Sequence, residues 1–280
     1  MELTIRFWGV RGSIASPGEG TVRTGGNTPC VEVRCGDAIV ILDAGTGLRG
    51  LGERMIRRGE REATILLSHL HWDHIQGLPF FVPAWVPGHR LTFVGAPGLE
   101  GALEAQMTPP CFPVRLRDMQ AARAFETIAS GDTRALGPLT VRTRGLNHPG
   151  GVLGYRLEHG GRSVVYATDT EHYACPDPHL VDLARDADVL IYDAMYTPDE
   201  YDGRAGPAKV GWGHSTWAAG VAVADAASVD RLVLFHHDPQ RDDDGVDAIE
   251  RVAAAARPGT VAAREGDEIA LRPRSGRRAA

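Results

Sequence analysis

Lysine is almost missing from this chain. Lys209 is the only one in 280 residues, so nearly all of the 30 basic side chains are arginine. That bias reads as genome composition more than as function. Cysteine is scarce too. The four present (Cys30, Cys35, Cys111 and Cys175) form no CxxC pair and are too few for a disulfide framework, so reduced thiols in a cytoplasmic protein are expected. No apolar run approaches the roughly 20 residues that a membrane helix needs. The opening MELTIRFWGVRGS lacks a basic segment followed by an apolar stretch and a cleavage site, so neither membrane insertion nor secretion is expected. Positive charge is not in excess: the formal net charge is −6. This argues against a surface that tracks a nucleic-acid backbone, and says little about one small anion in a locally positive pocket.

What is present fits an ordinary globular composition, with 43% hydrophobic and 24% charged residues. Short apolar runs alternate with turn residues. LTIRFWGV alternates faces through Leu3, Ile5 and Phe7, and CVEVRCGDAIVILDAG reads as two strands around Gly36-Asp37. TILLSHL, RLTFVGAP, DVLIYDAMY and RLVLFHHDP read as further strands, and LGYRLEHGGRSVVYATDT as a hairpin turning at Gly160-Gly161. Helices are predicted for TWAAGVAVADAAS, capped by Ser215, and for Asp242 to Ala256, with acidic residues in its first turn. Residues 78–117 are rich in Pro, Gly and aromatics and predict a loop wall, a lid or a dimer contact, because a linker would be polar. Phe80, Phe81, Trp85 and Phe112 within it suit base stacking or core packing equally. Residues 1–272 are read as one domain, followed by a basic, frayed tail over 273–280.

The chemistry concentrates in SHLHWDH. His69, His71, Asp73 and His74 occupy six positions directly after an apolar strand. Three imidazoles and a carboxylate at a core boundary are unfavourable unless something pairs with them. Imidazole and carboxylate are good ligands for a borderline divalent cation such as zinc. One ion takes three or four protein ligands, so this cluster can begin two sites. Later strand ends offer His148 in GLNHPGG, Asp169 in YATDTEH, and His236 or His237 in LFHHDP. A lone histidine at a strand end is more often structural, and an Asp there is more often a turn former. The HxHxDH cluster is what raises all of them together. GTGLRG (residues 45–50) satisfies GxGxxG, but no parallel βαβ pattern with an acidic ribose ligand follows, so dinucleotide binding is set aside.

These motifs resemble the metallo-β-lactamase superfamily, from about residue 3 to 272: SHLHWDH matches its HxHxDH signature, and DAGTG, His148, Asp169 and His236 follow in the family's order. The resemblance implies an α/β fold, a four-layer αββα sandwich with a dinuclear metal site along one edge. By position it gives His69, His71 and His148 to one metal, Asp73, His74 and His236 to the other, and Asp169 as the bridge. His236 is preferred to His237, with the choice still open. Asp43 would support the metal loops from behind. Two divalent ions are implied, zinc first, with manganese or iron open.

GHST resembles the histidine motif of the phosphodiesterase branch, seen in tRNA-processing ribonuclease Z and cyclic-phosphate phosphodiesterases. That makes His214 the leaving-group acid, steadied by Asp193 of YDAM where the family has HEAT, while Asp73 also orients the attacking water. The opening residues resemble a bacterial subgroup related to cyclic-nucleotide phosphodiesterases, in which Arg11, Arg23 and Asn27 would approach the phosphate. The expected function is hydrolysis of a small phosphodiester, a 3′,5′-cyclic nucleotide first, by a homodimer. No extended basic arm is found, so tRNA is not expected as a partner, nor is DNA. The alternatives are a thioester hydrolase like glyoxalase II and a non-catalytic nucleotide or metal sensor. A β-lactamase proper is disfavoured, because Asp169 stands where those enzymes carry cysteine.

Overall fold

A computed structural model describes residues 1–274. In chain order the strands are β1 (Leu3–Gly9), β2 (Cys30–Cys35), β3 (Ala38–Leu42), β4 (Glu62–Leu66), β5 (Arg90–Gly95), β6 (Ala122–Thr127), β7 (Thr133–Leu136), β8 (Leu139–Leu146), β9 (Val152–His159), β10 (Arg162–Ala167), β11 (Val189–Asp193), β12 (Arg231–Phe235), β13 (Val261–Ala262) and β14 (Glu268–Leu271). They form two mixed sheets, ordered β14-β1-β2-β3-β4-β5-β6 and β13-β12-β11-β10-β9-β8-β7. Each is antiparallel in one half and parallel in the other: β3 through β6 and β10 through β13 are the parallel halves.

Alternation explains the layering. Leu3, Ile5 and Phe7 are buried on one face of β1 while Thr4 and Arg6 are not. Phe7, Val33, Leu42, Tyr155, Tyr166 and Phe235 join other buried side chains in the core between the sheets. A second core packs the helix Leu48–Arg58 and the 78–119 segment on the outer face of the first sheet. A third packs helices Pro178–Ala184, Trp217–Ala226 and Asp243–Ala256 on the second. The inner strands of the parallel halves, such as β3, β10, β11 and β12, are buried almost throughout, as sheets covered on both faces require, whereas the edge strand β6 is largely open. This is the αββα sandwich that the resemblance implied. Among the described residues no helix is long and apolar enough to cross a membrane.

Several local readings change. Residues 78–117 hold β5 and the helix Leu99–Gln106, and Phe81, Leu91, Phe93, Leu103 and Leu116 are buried in the outer core. The segment is a structural layer rather than a loop wall, and Phe80 alone of its named aromatics is largely exposed, at 59%. The residue capping Trp217–Ala226 is Thr216, which accepts from Ala219 N; Ser215 is buried against Tyr192. The helix Leu48–Arg58 was missed because GTGLRG reads as a glycine loop. Of the expected frayed tail, Arg274 is tied to Asp188 at 3.0 Å and to Gly160 O, and residues 275–280 lie outside the described region.

Candidate metal centre

The singled-out residues gather where strands leave one edge of the sandwich, with His71 just before, and Asp73 and His74 within, the turn Trp72–Ile75 that follows β4. Asp43 follows β3, His69 follows β4, His148 follows β8, Asp169 follows β10 and His236 follows β12. Three of them, Asp43, Asp169 and His236, have left-handed backbones with φ of 61°, 51° and 59°. That conformation is strained for residues other than glycine, and here it turns each side chain sharply out of its strand into the same volume.

Donor atoms fall into two groups. His69, His71 and His148 form one; Asp73, His74, Asp169 and His236 form the other. Asp169 faces both. Its Oδ2 lies 3.7 Å from His69 Nε2 and 3.7 Å from His148 Nε2, and its Oδ1 lies 3.2 Å from His74 Nε2 and 3.1 Å from His236 Nε2. His236 Nε2 is also 3.3 Å from Asp73 Oδ2. His237 turns away and donates to Ala263 O, so of the adjacent pair it is His236 that joins the cluster. His69 Nε2 is buried without a hydrogen-bond partner, and His74 Nε2 faces two carboxylate oxygens at 3.2 Å. An orphaned buried nitrogen is destabilising by about 1–3 kcal/mol, and a cation between the imidazoles and carboxylates would satisfy it. The donor set fits divalent metal ions.

The contacts behind these residues fix how they point. Asp43 accepts from Ser68 N (2.7 Å), Ser68 Oγ (2.8 Å), Tyr166 Oη (2.8 Å) and His74 Nδ1 (2.8 Å). His69 Nδ1 meets Ser68 Oγ at 3.0 Å, and His148 Nδ1 donates to Gly213 O at 2.7 Å. Each of these rings therefore has one nitrogen engaged and presents Nε2 to the cluster, the arrangement that orients metal-binding histidines.

The electrostatics favour cations. Burial alone would raise Asp73 and Asp169, but the neighbouring histidines hold both below the carboxylate range. Burial lowers His69 and His148, leaving neutral imidazoles. Burial opposes protonation of His74 as well, yet Asp73, Asp169 and Asp43 outweigh it and push it up. Surroundings anionic enough to hold a proton there would also hold a divalent ion.

Beside the cluster stands a second constellation. His214 Nδ1 donates to the buried Asp193 at 2.9 Å, and the rings of His214 and His236 stack 5.0 Å apart. Burial alone would lower His214, but Asp193 pushes it up to about 9. Asp193 is itself fixed by Thr170 N and Met195 N. The shorter Asp thus reaches His214 without the extra methylene of Glu.

Sequence reading missed Glu171. Its carboxylate accepts from Gly211 N (2.6 Å), Gly213 N (2.9 Å) and Tyr201 Oη (2.7 Å), while its backbone pairs with Asn147. It ties together the loops that carry Asp169, His148 and His214. Gly213 must be glycine: its φ is 83°, and a Cβ would overlap the His148 ring. Ser13 N was also missed; it donates to Asp73 Oδ2 at 2.8 Å. Backbone donors of this kind leave no trace in residue type.

The three residues expected to approach the phosphate are engaged within the protein instead. Arg11 is fully buried and donates to Gly25 O, Asp238 O and Arg241 O. Arg23 pairs with Asp244 and Asp247 on the surface, and Asn27 pairs with Glu265. All three are turned to partners within the protein rather than to the cluster.

Fold and site together define a hydrolase of the metallo-β-lactamase class. Residues 39–237 match the family model described as the β-lactamase superfamily domain, and the chain belongs to that family. Ribonuclease Z of Natronomonas pharaonis is 28% identical over 289 residues, covering 84% of this chain and 87% of the relative. The metallo-β-lactamase fold protein YhfI of Bacillus subtilis superposes with a TM-score of 0.74 at 19% identity, over 96% of this chain and 99% of its own. The short form of human tRNase Z does so at 0.65 and 19%, over 96% and 99%. These findings overturn the expectation that tRNA is not a partner. It rested on the absence of an extended basic arm and on the acidic net charge, and net charge averages over the whole surface without reporting the field at one sheet edge.

Proposed function

We propose that the chain is a metal-dependent phosphodiesterase. The pair of half-buried His214 and buried Asp193 beside the seven-residue donor set carries this reading. A thiolate departs readily without a proton donor, whereas an alkoxide leaving phosphorus needs one. A thioester hydrolase would therefore give His214 nothing to do, and a non-catalytic sensor would need neither His214 nor Asp193.

In this reading His69, His71 and His148 would hold one divalent ion and Asp73, His74 and His236 a second, with one oxygen of Asp169 turned to each. Zinc is the first choice of metal for imidazole and carboxylate donors. Bound there, the ions would supply Lewis-acid charge to the phosphoryl oxygens and make water easier to deprotonate. Asp73 is held by Ser13 N and by His236, so its carboxylate is placed to orient the attacking water. His214 carries its own proton because Asp193 stabilises the imidazolium. From the ring nitrogen not bonded to Asp193, that proton passes to the departing alkoxide oxygen as the P–O bond breaks.

Two substrates lie within this chemistry. A 3′,5′-cyclic nucleotide is supported by the opening segment, whose Ser13 lies against Asp73. A tRNA precursor is supported by the ribonuclease Z relative that aligns with 84% of the chain. The test is metal quantification followed by assay of bis(p-nitrophenyl) phosphate, cyclic mononucleotides, a tRNA precursor with a 3′ extension and a glutathione thioester. Turnover of the thioester alone, with metal bound, refutes the reading.

A further inference from the structure

Two tryptophans stand in water beside the cluster. Trp72 lies between His71 and Asp73 and is 62% exposed; Trp212 lies two residues before His214 and is 55% exposed. Large aromatic faces left open next to a polar site mark contacts still to be made. Both are on anchored backbone. Trp72 opens the single turn Trp72–Ile75, and Trp212 sits between the two glycines whose N–H groups donate to Glu171. The only lysine joins them. Lys209 Nζ is 4.0 Å from the Trp212 ring centre and 5.8 Å from that of Tyr196, and the Tyr196 ring meets His214 at 6.1 Å. The acids nearest to Lys209 in sequence are engaged elsewhere: Asp199 and Asp202 pair with Arg204, and Glu200 with Arg241.

We infer that Trp72, Trp212 and Lys209 form a nucleotide-recognition subsite at the mouth of the metal centre. The indoles stack on bases next to the scissile phosphodiester, and Lys209 faces an adjacent phosphate. Base–indole stacking accepts any base, so the subsite selects for base-bearing diesters over base-free ones rather than for sequence. This deepens the phosphodiesterase reading and rests on it. A cyclic mononucleotide has one base and engages one indole; an RNA end has several and engages both.

The test compares wild type with Trp72→Ala, Trp212→Ala, Trp212→Phe and Lys209→Ala on methyl p-nitrophenyl phosphate, 3′,5′-cyclic AMP and a 3′-extended tRNA precursor. Metal content is measured for each. The expected result is a fall of about 5- to 100-fold in the ratio of kcat/KM for base-bearing over base-free diester, through KM. With cyclic AMP one alanine variant shows it, with RNA both do, and Trp212→Phe recovers most of the loss. Lys209→Ala flattens the salt dependence of KM. An unchanged ratio at normal metal content overturns the inference, and so does an equal loss on the base-free diester. If wild type hydrolyses no diester at all, the phosphodiesterase reading fails. Quenching of tryptophan fluorescence by 5′-AMP, weakened at least fivefold in the alanine variants, then still decides the subsite.

Discussion

Asp43→Asn isolates the part of the metal centre that lies behind the donors. The substitution keeps volume and shape, and asparagine tolerates the left-handed backbone that Asp43 adopts at φ 61°. What changes is charge and one acceptor. Asp43 Oδ2 takes Ser68 Oγ, Tyr166 Oη and His74 Nδ1, and Oδ1 takes Ser68 N. With the amide oxygen in the Oδ2 position three of the four contacts persist, but the amide N–H₂ then faces Ser68 N–H. Ser68 N–H and the amide N–H₂ are both left without an acceptor, and each such buried donor destabilises by about 1–3 kcal/mol. His74 keeps its hydrogen bond but loses the negative charge behind its ring, and weakening such a partner lowers metal affinity by about 10- to 100-fold. The effect should fall on the group holding His74 and spare the His69, His71 and His148 group. In dialysis against buffered zinc, the variant should load one ion at a free concentration where wild type loads two. The thermal midpoint should drop in chelator and recover only partly with excess metal. Wild-type loading of both ions at every zinc concentration would refute the reasoning.

Other outcomes follow from the same geometry. His214→Ala should lose about 10²- to 10⁴-fold in kcat on an alkoxide-leaving diester and much less on a p-nitrophenyl diester, with metal content unchanged; equal losses on both would remove His214 from leaving-group protonation. Because Asp193 raises His214 to about 9, its proton is present below that pH, and activity on alkoxide-leaving substrates should decline as pH rises through 9. Asp193→Asn should move that decline to lower pH, and a decline that stays in place would contradict the pairing. Asp243, buried and accepting from Arg23 N and Thr24 N, is held below the usual carboxylate range: burial opposes this, and the backbone N–H groups outweigh it. A depressed folded value gives stability that is complete above the unfolded carboxyl range and lost as pH falls through the folded one. Asp243→Ala should therefore lower stability by about 1–3 kcal/mol at pH 7 in urea unfolding, and the difference from wild type should shrink toward pH 3.

How much of this was legible depends on whether the information lay in residue type or in backbone direction. HxHxDH after an apolar strand was legible because its side chains demand a partner wherever they are. His148, Asp169 and His236 were legible only jointly, since each alone is an ordinary strand-end residue. The αββα layering came from the family resemblance; apolar runs such as DVLIYDAMY and RLVLFHHDP marked only buried strands that need cover on both faces. Arg11 was misread because a buried arginine that donates to three carbonyls looks in sequence like an arginine facing an anion. Glu171 was passed over because its partners are two glycine N–H groups some 40 residues away, and a glycine announces flexibility rather than a donor. Ser215 and Thr216 are equally good caps, and the pairing of Ser215 with Tyr192 decided between them.

The left-handed residues show how the fold and the site depend on each other. Asp43, Asp169 and His236 each carry backbone strain of about 1–3 kcal/mol, and all three sit at the ends of strands whose side chains are buried in the inter-sheet core. A residue continuing in extended geometry would send its side chain along the sheet edge, away from the opposite sheet. The left-handed turn instead directs Asp43 from the first sheet and Asp169 and His236 from the second into one volume between them. That turn holds only while β3, β10 and β12 are fixed by Leu42, Tyr166 and Phe235, all fully buried. Truncating Phe235 to alanine should therefore do more than destabilise the core by the 3–5 kcal/mol typical of such a change. It should release the strain at His236 and reduce metal loading of the His74 group even in protein that remains folded. Full loading in a folded but destabilised Phe235→Ala protein would mean that the strand ends, and not the core behind them, hold the donors in place.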